Sequence, residues 1–209
     1  MSFEVWMTFV FASTVLVIIP GPTVLLVLSY ALARGRQVAI TTALGVALGD
    51  LIAMSASLLG LGALIMASSA AFLTLKWIGA AYLVYLGIKM LRAPAKSDAA
   101  NEARPGADTQ AQNAFWHAAM VTALNPKSIG FFIAFVPQFL RPEHALAPQF
   151  MILIATFVMI GAGNALLYAL LAGTMRGALK RPRVLTALSR FGGATLIAMG
   201  VFTATLKRA

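Results

Sequence analysis

Apolar runs of about 20 residues or more recur along the whole of this 209-residue chain. Each run is long enough to cross about 30 Å of hydrocarbon as a helix that rises about 1.5 Å per residue. Hydrophobic residues make up 60% of the sequence and charged residues 11%, which leaves too few polar side chains to cover a soluble domain of this size. The sequence therefore predicts an all-α protein that crosses a membrane several times.

Polar breaks divide the apolar sequence into six predicted spans. The break between the second and third spans is placed at "MASSAA", residues 66–71, because small polar residues favour turns. Residues 93–112 are polar, mixed in charge and rich in Ala, Pro and Asp, and they predict a cytoplasmic linker between two halves, 1–92 and 113–209. The predicted spans are 5–33, 38–66, 72–91, 113–140, 145–173 and 184–206.

The basic residues indicate how the spans are oriented. The formal net charge is +10, and the lysines and arginines other than Lys127 divide eleven to four between the two sides of the membrane. The richer side is predicted to be cytoplasmic, which places both termini on the outer face of the membrane. The first apolar run is too long for a signal-peptide core, so we expect it to be retained. The positive charge is interpreted as a topology signal, and no nucleic-acid partner is expected.

The reactive residue types favour neither an enzyme nor a metal protein. Cysteine is absent, which excludes disulfides and thiolate metal sites. His117 and His144 lack companions for a metal site, and no Ser-His-acid pattern indicates a hydrolase. We therefore expect no cofactor, no metal and no enzymatic activity.

The two halves carry matching features that predict an inverted repeat. Each half has three spans, so the second half enters the membrane in the opposite direction to the first. The first span is broken near its middle by "IPGP" at 19–22 and the fourth by "NPK" at 125–127. Gly49-Asp50 in the second span corresponds to Gly163-Asn164 in the fifth, and "KWIGAA" at 76–81 to "RFGGAT" at 190–195. The prediction is two inverted three-helix repeats whose helices 1 and 4 are broken at mid-membrane.

The two breaks are candidate binding elements. Proline has no N–H and clashes with the preceding turn, so a helix that reaches either break loses backbone hydrogen bonds. A capping residue followed by proline at the first helical position is typical of a helix start. In inverted halves the two new half-helices direct their positive ends at the midplane, which favours an anion such as a carboxylate. Ordinary proline kinks are the alternative. The residues predicted to bind substrate here are Pro20, Gly21, Pro22, Thr23, Asn125, Pro126, Lys127 and Ser128.

Asp50 and Lys127 are the charged residues deepest in the predicted spans. An unpaired carboxylate at such depth costs about 2.5 to 3.5 kcal/mol on insertion scales. Asp50 therefore needs Lys127, a substrate ammonium, a coupling cation or a proton, and a structural ion pair with Lys127 is the alternative without a transport role. Asn164 keeps a polar group at the position related to Asp50 and is also predicted to bind substrate. Tyr168, four residues further on, is interpreted as interhelix packing.

Gly45 and Gly49 have the GxxxG spacing in "GVALG". Small residues at this spacing let a second membrane helix approach closely. We expect such an approach to hold Asp50 against its neighbours.

Three sequence blocks together resemble a known family. They are "PGPTVLLVLSYALARGRQVAITTALGVALGD" at 20–50, "KWIGAAYLVYLGIKMLR" at 76–92 and "NPKSIGFFIAFVPQF" at 125–139. In this order they resemble the lysine exporter and homoserine/threonine exporter family of bacterial amino-acid translocators. The resemblance covers nearly the whole chain apart from the 93–112 linker.

The resemblance implies a small secondary transporter of the inner membrane that exports amino acids or close derivatives. It implies that the proton gradient drives export and that the protein forms a homo-oligomer such as a dimer. The family's two breaks correspond to Pro20-Gly21-Pro22 and Asn125-Pro126-Lys127, and its membrane acid corresponds to Asp50. The expected partners are thus an amino-acid substrate, protons and membrane lipid.

Two other functions are open on the residues alone. Half-helices that meet at the midplane also describe an aquaporin-like channel, although a passive pore gains nothing from costly central charges. A cation exporter is the second alternative, but one acid without a His, Cys or Met cluster supplies few ligands. Asp50 favours proton antiport, because one carboxylate that holds either substrate or proton couples their movements.

Overall fold

The computed structural model describes residues 1–92, 111–141, 143–179 and 182–205, and the regular structure of these residues is entirely helical. This confirms the predicted all-α class. The linker predicted at 93–112 lies outside the described residues except for its last two, which begin a helix. The helices are α1 (Phe3–Ile18), α2 (Pro22–Arg34), α3 (Arg36–Ala67), α4 (Ser69–Arg92), α5 (Ala111–Ala123), α6 (Pro126–Ala134), the 3₁₀ helix η1 (Val136–Phe139), α7 (Leu146–Leu179) and α8 (Pro182–Thr205).

Both predicted helix breaks are present. The chain bends by 54° between α1 and α2, and by 43° between α5 and the α6–η1 segment. Gly21 has an extended backbone before Pro22, the first residue of α2. Asn125 caps α6 in the predicted way, because its side chain accepts the backbone N–H of Lys127 at 3.0 Å and Pro126 follows it directly.

The long apolar stretch of the first half is also divided where the sequence predicts. Ser68 is extended, with φ −163° and ψ 119°, and it separates α3 from α4. Its backbone N–H still bonds to the Leu64 carbonyl, so it closes the last turn of α3. The small polar residues of "MASSAA" therefore end one helix and start the next.

The described residues contain three unbroken helices that are long and apolar enough to cross a membrane, and up to five spans if each bent pair counts as one. Helix α4 has the length of a span, 24 residues, but is not among those that meet this test of length and composition. It contains Lys76 and Lys89, which lower its mean hydropathy. The count of six spans and their orientation stay predictions.

Glycines allow close approaches between the helices. Helix α3 packs closely on α5, where a Cβ added at Gly45 would overlap the Phe115 carbonyl oxygen and one at Gly49 would lie 2.5 Å from that of Ala119. The predicted close approach at "GVALG" is thus present. Helices α4 and α8 cross at Gly87 and Gly193, where a Cβ on either glycine would lie 2.5 Å from the other's carbonyl oxygen.

Two large hydrophobic clusters form most of the core among the described residues, on either side of the helix breaks. The first, called the aromatic cluster, joins α1, α6, η1 and α7, and its rings contact one another at centroid distances of 4.7 to 6.5 Å. The second, called the alanine cluster, joins α2, α3, α5 and α7 and is built largely of small side chains. The aromatic cluster contains Phe9, Phe131, Phe132, Phe135, Phe139 and Phe157; the alanine cluster contains Ala39, Ala43, Ala114, Ala118, Ala165 and Ala169.

Candidate functional site

A cavity of about 30 Å³ lies beside the two helix breaks. This volume holds a water molecule or two and is far below that of a small-molecule site. Most of the residues predicted to bind substrate line it, whereas Pro20, Pro22 and Pro126 shape the breaks without lining the cavity. The predicted residues in its wall are Gly21, Thr23, Asp50, Asn125, Lys127, Ser128 and Asn164.

The Lys127 ammonium is bound to the end of α1. Lys127 is the second residue of α6, its side chain is 9% exposed, and its Nζ donates to the carbonyl oxygens of Leu16 at 3.0 Å and Ile19 at 2.9 Å. The last carbonyls of a helix have no partners within it and form the negative end of its dipole, so a cation stabilises them. The sequence predicted Lys127 as part of an anion site, whereas in this structure its ammonium contacts a helix C-terminus.

The neighbouring carbonyls of the same helix end are also capped from the second half of the chain. Asn164 Nδ2 donates to the Val17 carbonyl at 2.9 Å, and the Tyr168 hydroxyl to that of Ile18 at 2.8 Å. Four successive carbonyls, at residues 16–19, therefore accept hydrogen bonds from side chains of α6 and α7. We call these four groups the carbonyl end of α1. The sequence signal for it is the proline after Ile19, because a helix that stops there leaves its last carbonyls unsatisfied.

The two half-helix starts are hydrogen-bonded to each other. Asn125 Nδ2 donates to Thr23 Oγ1 at 3.1 Å, and Thr122 Oγ1 lies 3.3 Å from the same oxygen. Thr23 is the second residue of α2, so this contact joins the start of α2 to the start of α6. Thr122 was not predicted from the sequence, since a threonine within an apolar helix has no distinctive pattern.

Asp50 is buried in α3, with 4% of its surface exposed, and lines the cavity. In the part of the chain that the structure describes, Asp50 has no hydrogen bond, and no ion pair within 4.0 Å joins it to Lys127. The structural ion pair considered as an alternative is therefore not formed. The Asp50 carboxylate is left facing the cavity.

The absence of a side chain at Gly161 leaves room for the Asp50 carboxylate to lie close to α7. A Cβ added at Gly161 would overlap Asp50 Oδ2, whereas one at Gly163 would meet nothing within 4 Å. Gly161 was not predicted from the sequence, and its only signal is the cluster of small residues in "GAGN".

Metal ligands are not grouped within the described ranges. No set of three His, Cys, Asp or Glu residues in them lies close enough to hold an ion. His117 Nδ1 instead lies 3.1 Å from the Tyr30 hydroxyl, next to the alanine cluster.

The interrupted apolar helices and the buried acid and base at their breaks define a multi-pass membrane protein with a polar site inside the helix bundle. The chain belongs to the LysE type translocator family, whose family model matches residues 14–207. The resemblance identified from the sequence blocks is confirmed. Membership of a translocator family also confirms the expectation that the protein is not an enzyme.

The chain is similar to several curated proteins over its full length. A homoserine/homoserine lactone efflux protein of Salmonella typhimurium is 32% identical over 210 residues, which covers 100% of both chains. An uncharacterized membrane protein of Vibrio cholerae is 30% identical over 207 residues, or 99% of this chain and 100% of the relative. Another, from Pseudomonas aeruginosa, is 32% identical over 95% of this chain and 94% of the relative. No solved structure matches.

Proposed function

We propose that the protein exports amino acids or close derivatives from the cytoplasm by proton antiport. The observation that carries this proposal is the cavity at the two helix breaks, which contains one buried acid and one buried base in a chain of a translocator family. Charged side chains inside a membrane protein are costly and mark pathways for substrates, ions and protons.

The half-helix starts supply the site for the substrate carboxylate. Gly21 provides no side-chain cap, so the first backbone N–H groups of α2 are free to donate to an anion. Ser128 adds a hydroxyl from α6, and Thr23 and Asn125 hold the two starts together. Lys127 lies in the same wall and adds positive charge.

Asp50 supplies the site for the substrate ammonium or for a proton. The carboxylate lines the cavity without a hydrogen-bond partner among the described residues, so either cation can reach it. The Asp50 carboxylate binds either the substrate ammonium or a proton, but not both at once. Alternation between the two therefore couples outward movement of the substrate to inward movement of a proton.

An ammonium group is also common to homoserine and homoserine lactone, the two compounds in the name of one relative. The Salmonella typhimurium relative is named for homoserine and homoserine lactone. Both molecules carry an α-ammonium group at neutral pH, but the lactone has lost the free carboxylate. A site that accepts both therefore recognises the ammonium first, and Asp50 is the buried acid that this chain offers for it.

Alternating access between two inverted three-helix repeats explains how substrate reaches the cavity. The second and third predicted spans of each half pack on their counterparts, α3 on α7 and α4 on α8, an arrangement that supports two related repeats. The aromatic cluster and the alanine cluster cover the cavity on its two sides, and about 30 Å³ does not hold an amino acid. Loosening one cluster at a time admits substrate from one side of the membrane only.

Purified protein in proteoliposomes tests the proposal. We expect saturable counterflow of L-homoserine or another amino acid, and accumulation against its gradient only while a pH gradient is imposed. Asp50→Asn keeps the size of the side chain and removes its titration, so it abolishes accumulation. Gly163→Ala, which fills open space in α7, is the matched control and keeps full activity.

The results separate the proposal from its alternatives. A channel shows no counterflow, and a cation exporter is stimulated by metal ions in place of amino acids. Accumulation by Asp50→Asn at the rate of the unmodified protein would exclude Asp50 as the coupling group.

A further inference from the structure

We propose that the carbonyl end of α1, together with Asp50, is the subsite for the substrate's ammonium group, and that Lys127 is a resident occupant which this ammonium displaces. The inference rests on the proposed function and specifies which groups recognise the amine. It follows from the position of the Lys127 ammonium at the end of α1, and from the Asp50 carboxylate, which has no hydrogen-bond partner among the described residues.

The carbonyl end of α1 already binds a primary ammonium group. Lys127 Nζ donates to the carbonyls of Leu16 and Ile19 at 3.0 and 2.9 Å, which are normal distances for a charged donor. Together with the negative end of the α1 dipole, these oxygens make a cation site built from the backbone. A substrate ammonium has the same charge and the same three donors as the lysine tip.

Asp50 completes this site on its other side. Leu16, Val17 and Asp50 line one cavity, so an ammonium in that cavity reaches both the carbonyl end of α1 and the carboxylate. Asp50 is 96% buried, the complement of its 4% exposure, and has no hydrogen-bond partner among the described residues. A buried acid in that condition binds an incoming cation with little competition from water.

Gly21 gives the displaced lysine room to move. A Cβ added at Gly21 would lie 3.3 Å from Lys127 Nζ, so the lysine tip lies beside the start of α2 with no side chain between them. A short swing of the side chain carries the ammonium away from α1 and toward the half-helix starts, where the proposed carboxylate site lies. The substrate thus exchanges its ammonium for that of Lys127 and pairs its carboxylate with the lysine it has released.

The exchange also frees α1 from α6. In the present structure Lys127 joins the two helices through the two hydrogen bonds that its Nζ donates. When substrate takes over these carbonyls, the start of α6 and the end of α1 are no longer linked by one side chain. Occupation of the subsite therefore changes the contact between the two halves of the chain.

Chemical rescue of a lysine-deleted variant tests the subsite. Lys127→Ala lacks three carbons and the ammonium, which are the atoms of propylammonium. We expect propylammonium chloride to raise the Tm of the purified variant saturably by several degrees, since a ligand bound to the folded state stabilises it. Neutral 1-propanol at equal concentration has no such effect. If Lys127→Ala does not survive purification alone, its yield of monodisperse protein with either additive is compared instead.

Two further variants serve as controls. Lys127→Met fills the lysine's volume with an uncharged side chain, so propylammonium does not raise its Tm. Adding Asp50→Asn to Lys127→Ala weakens the response to propylammonium about tenfold, because a charged partner is lost. Equal responses of Lys127→Ala to propylammonium and 1-propanol, or of Lys127→Ala and Lys127→Met to propylammonium, would overturn the subsite.

These measurements need neither a membrane nor a gradient, so they are independent of transport. Rescue by propylammonium in a protein that moves no amino acid would support the subsite and refute the proposed function. Amino-acid antiport without rescue by propylammonium would support the proposed function and refute the subsite.

Discussion

At the scale of single residues, the two buried charges are stabilised by different means. Lys127 is stabilised by backbone dipoles, because two carbonyl oxygens at the negative end of α1 accept hydrogen bonds from its ammonium. Asp50 has no such partners among the described residues, and it lines the cavity together with Lys127. The acid is therefore the charge that a group entering the cavity can pair with.

The fit of Asp50 against Gly161 predicts the effect of one methyl group. Gly161→Ala forces the carboxylate aside, so we expect loss of transport and a decrease of about 1 to 3 kcal/mol in the free energy of unfolding. Gly163→Ala on the same helix meets nothing within 4 Å and leaves both unchanged or slightly improved. Thermal unfolding and uptake into proteoliposomes measure the two variants side by side. Equal stability and equal transport of the two variants would show that the contact between residue 161 and Asp50 affects neither property.

At the scale of helices, the two interrupted helices hold each other in place. The start of α2 is bonded to the start of α6 through Thr23 and Asn125, while the end of α1 is capped from α6 and α7. The carbonyls at the first break are thus capped from the opposite half of the chain, whereas Asn125 caps the start of α6 from within its own half. Because of these contacts, irregular backbone is tolerated in an apolar bundle.

The bond between the half-helix starts predicts a difference between two substitutions of Thr23. Thr23→Val keeps the shape but leaves the Asn125 amide without its acceptor, which costs about 1 to 3 kcal/mol. Thr23→Ser keeps the hydroxyl and is expected to cost much less. Thermal unfolding in detergent compares the two, and equal stability of both variants would rule out a stabilising role for this bond.

At the scale of the whole molecule, two clusters of different character cover one small cavity. Large aromatic rings pack on one side and small alanine side chains on the other, so the two sides resist opening to different extents. Many large apolar side chains, such as Phe11 and Leu124, are exposed on the outside of the bundle, as is usual for a surface that faces lipid. Assembly into a homo-oligomer stays a prediction.

The predicted orientation can be tested directly because the chain has no cysteine. Single cysteines at Ser2 and Glu143 are expected to react with an impermeant maleimide on intact cells. Cysteines at Gln37 and Asn113 are expected to react only after the cells are permeabilised, since the arginines and lysines concentrate on their side. Labelling of Ser2→Cys and Gln37→Cys from the same side would contradict the orientation, and labelling of Asn113→Cys from outside would contradict the six-span count.

The sequence by itself determined the all-α class, the two helix breaks, the cap at Asn125 and seven of the residues in the cavity wall. These features follow from local chemistry: the length of apolar runs, the missing N–H of proline and the cost of charge in hydrocarbon. Only the tertiary structure decided that the Lys127 ammonium binds a carbonyl 108 residues away and that Gly161 lies against Asp50. The reason is that a flexible lysine side chain can reach several polar groups, and the sequence does not distinguish between them. Packing alone selects the carbonyl oxygen that lies within 3 Å of the ammonium.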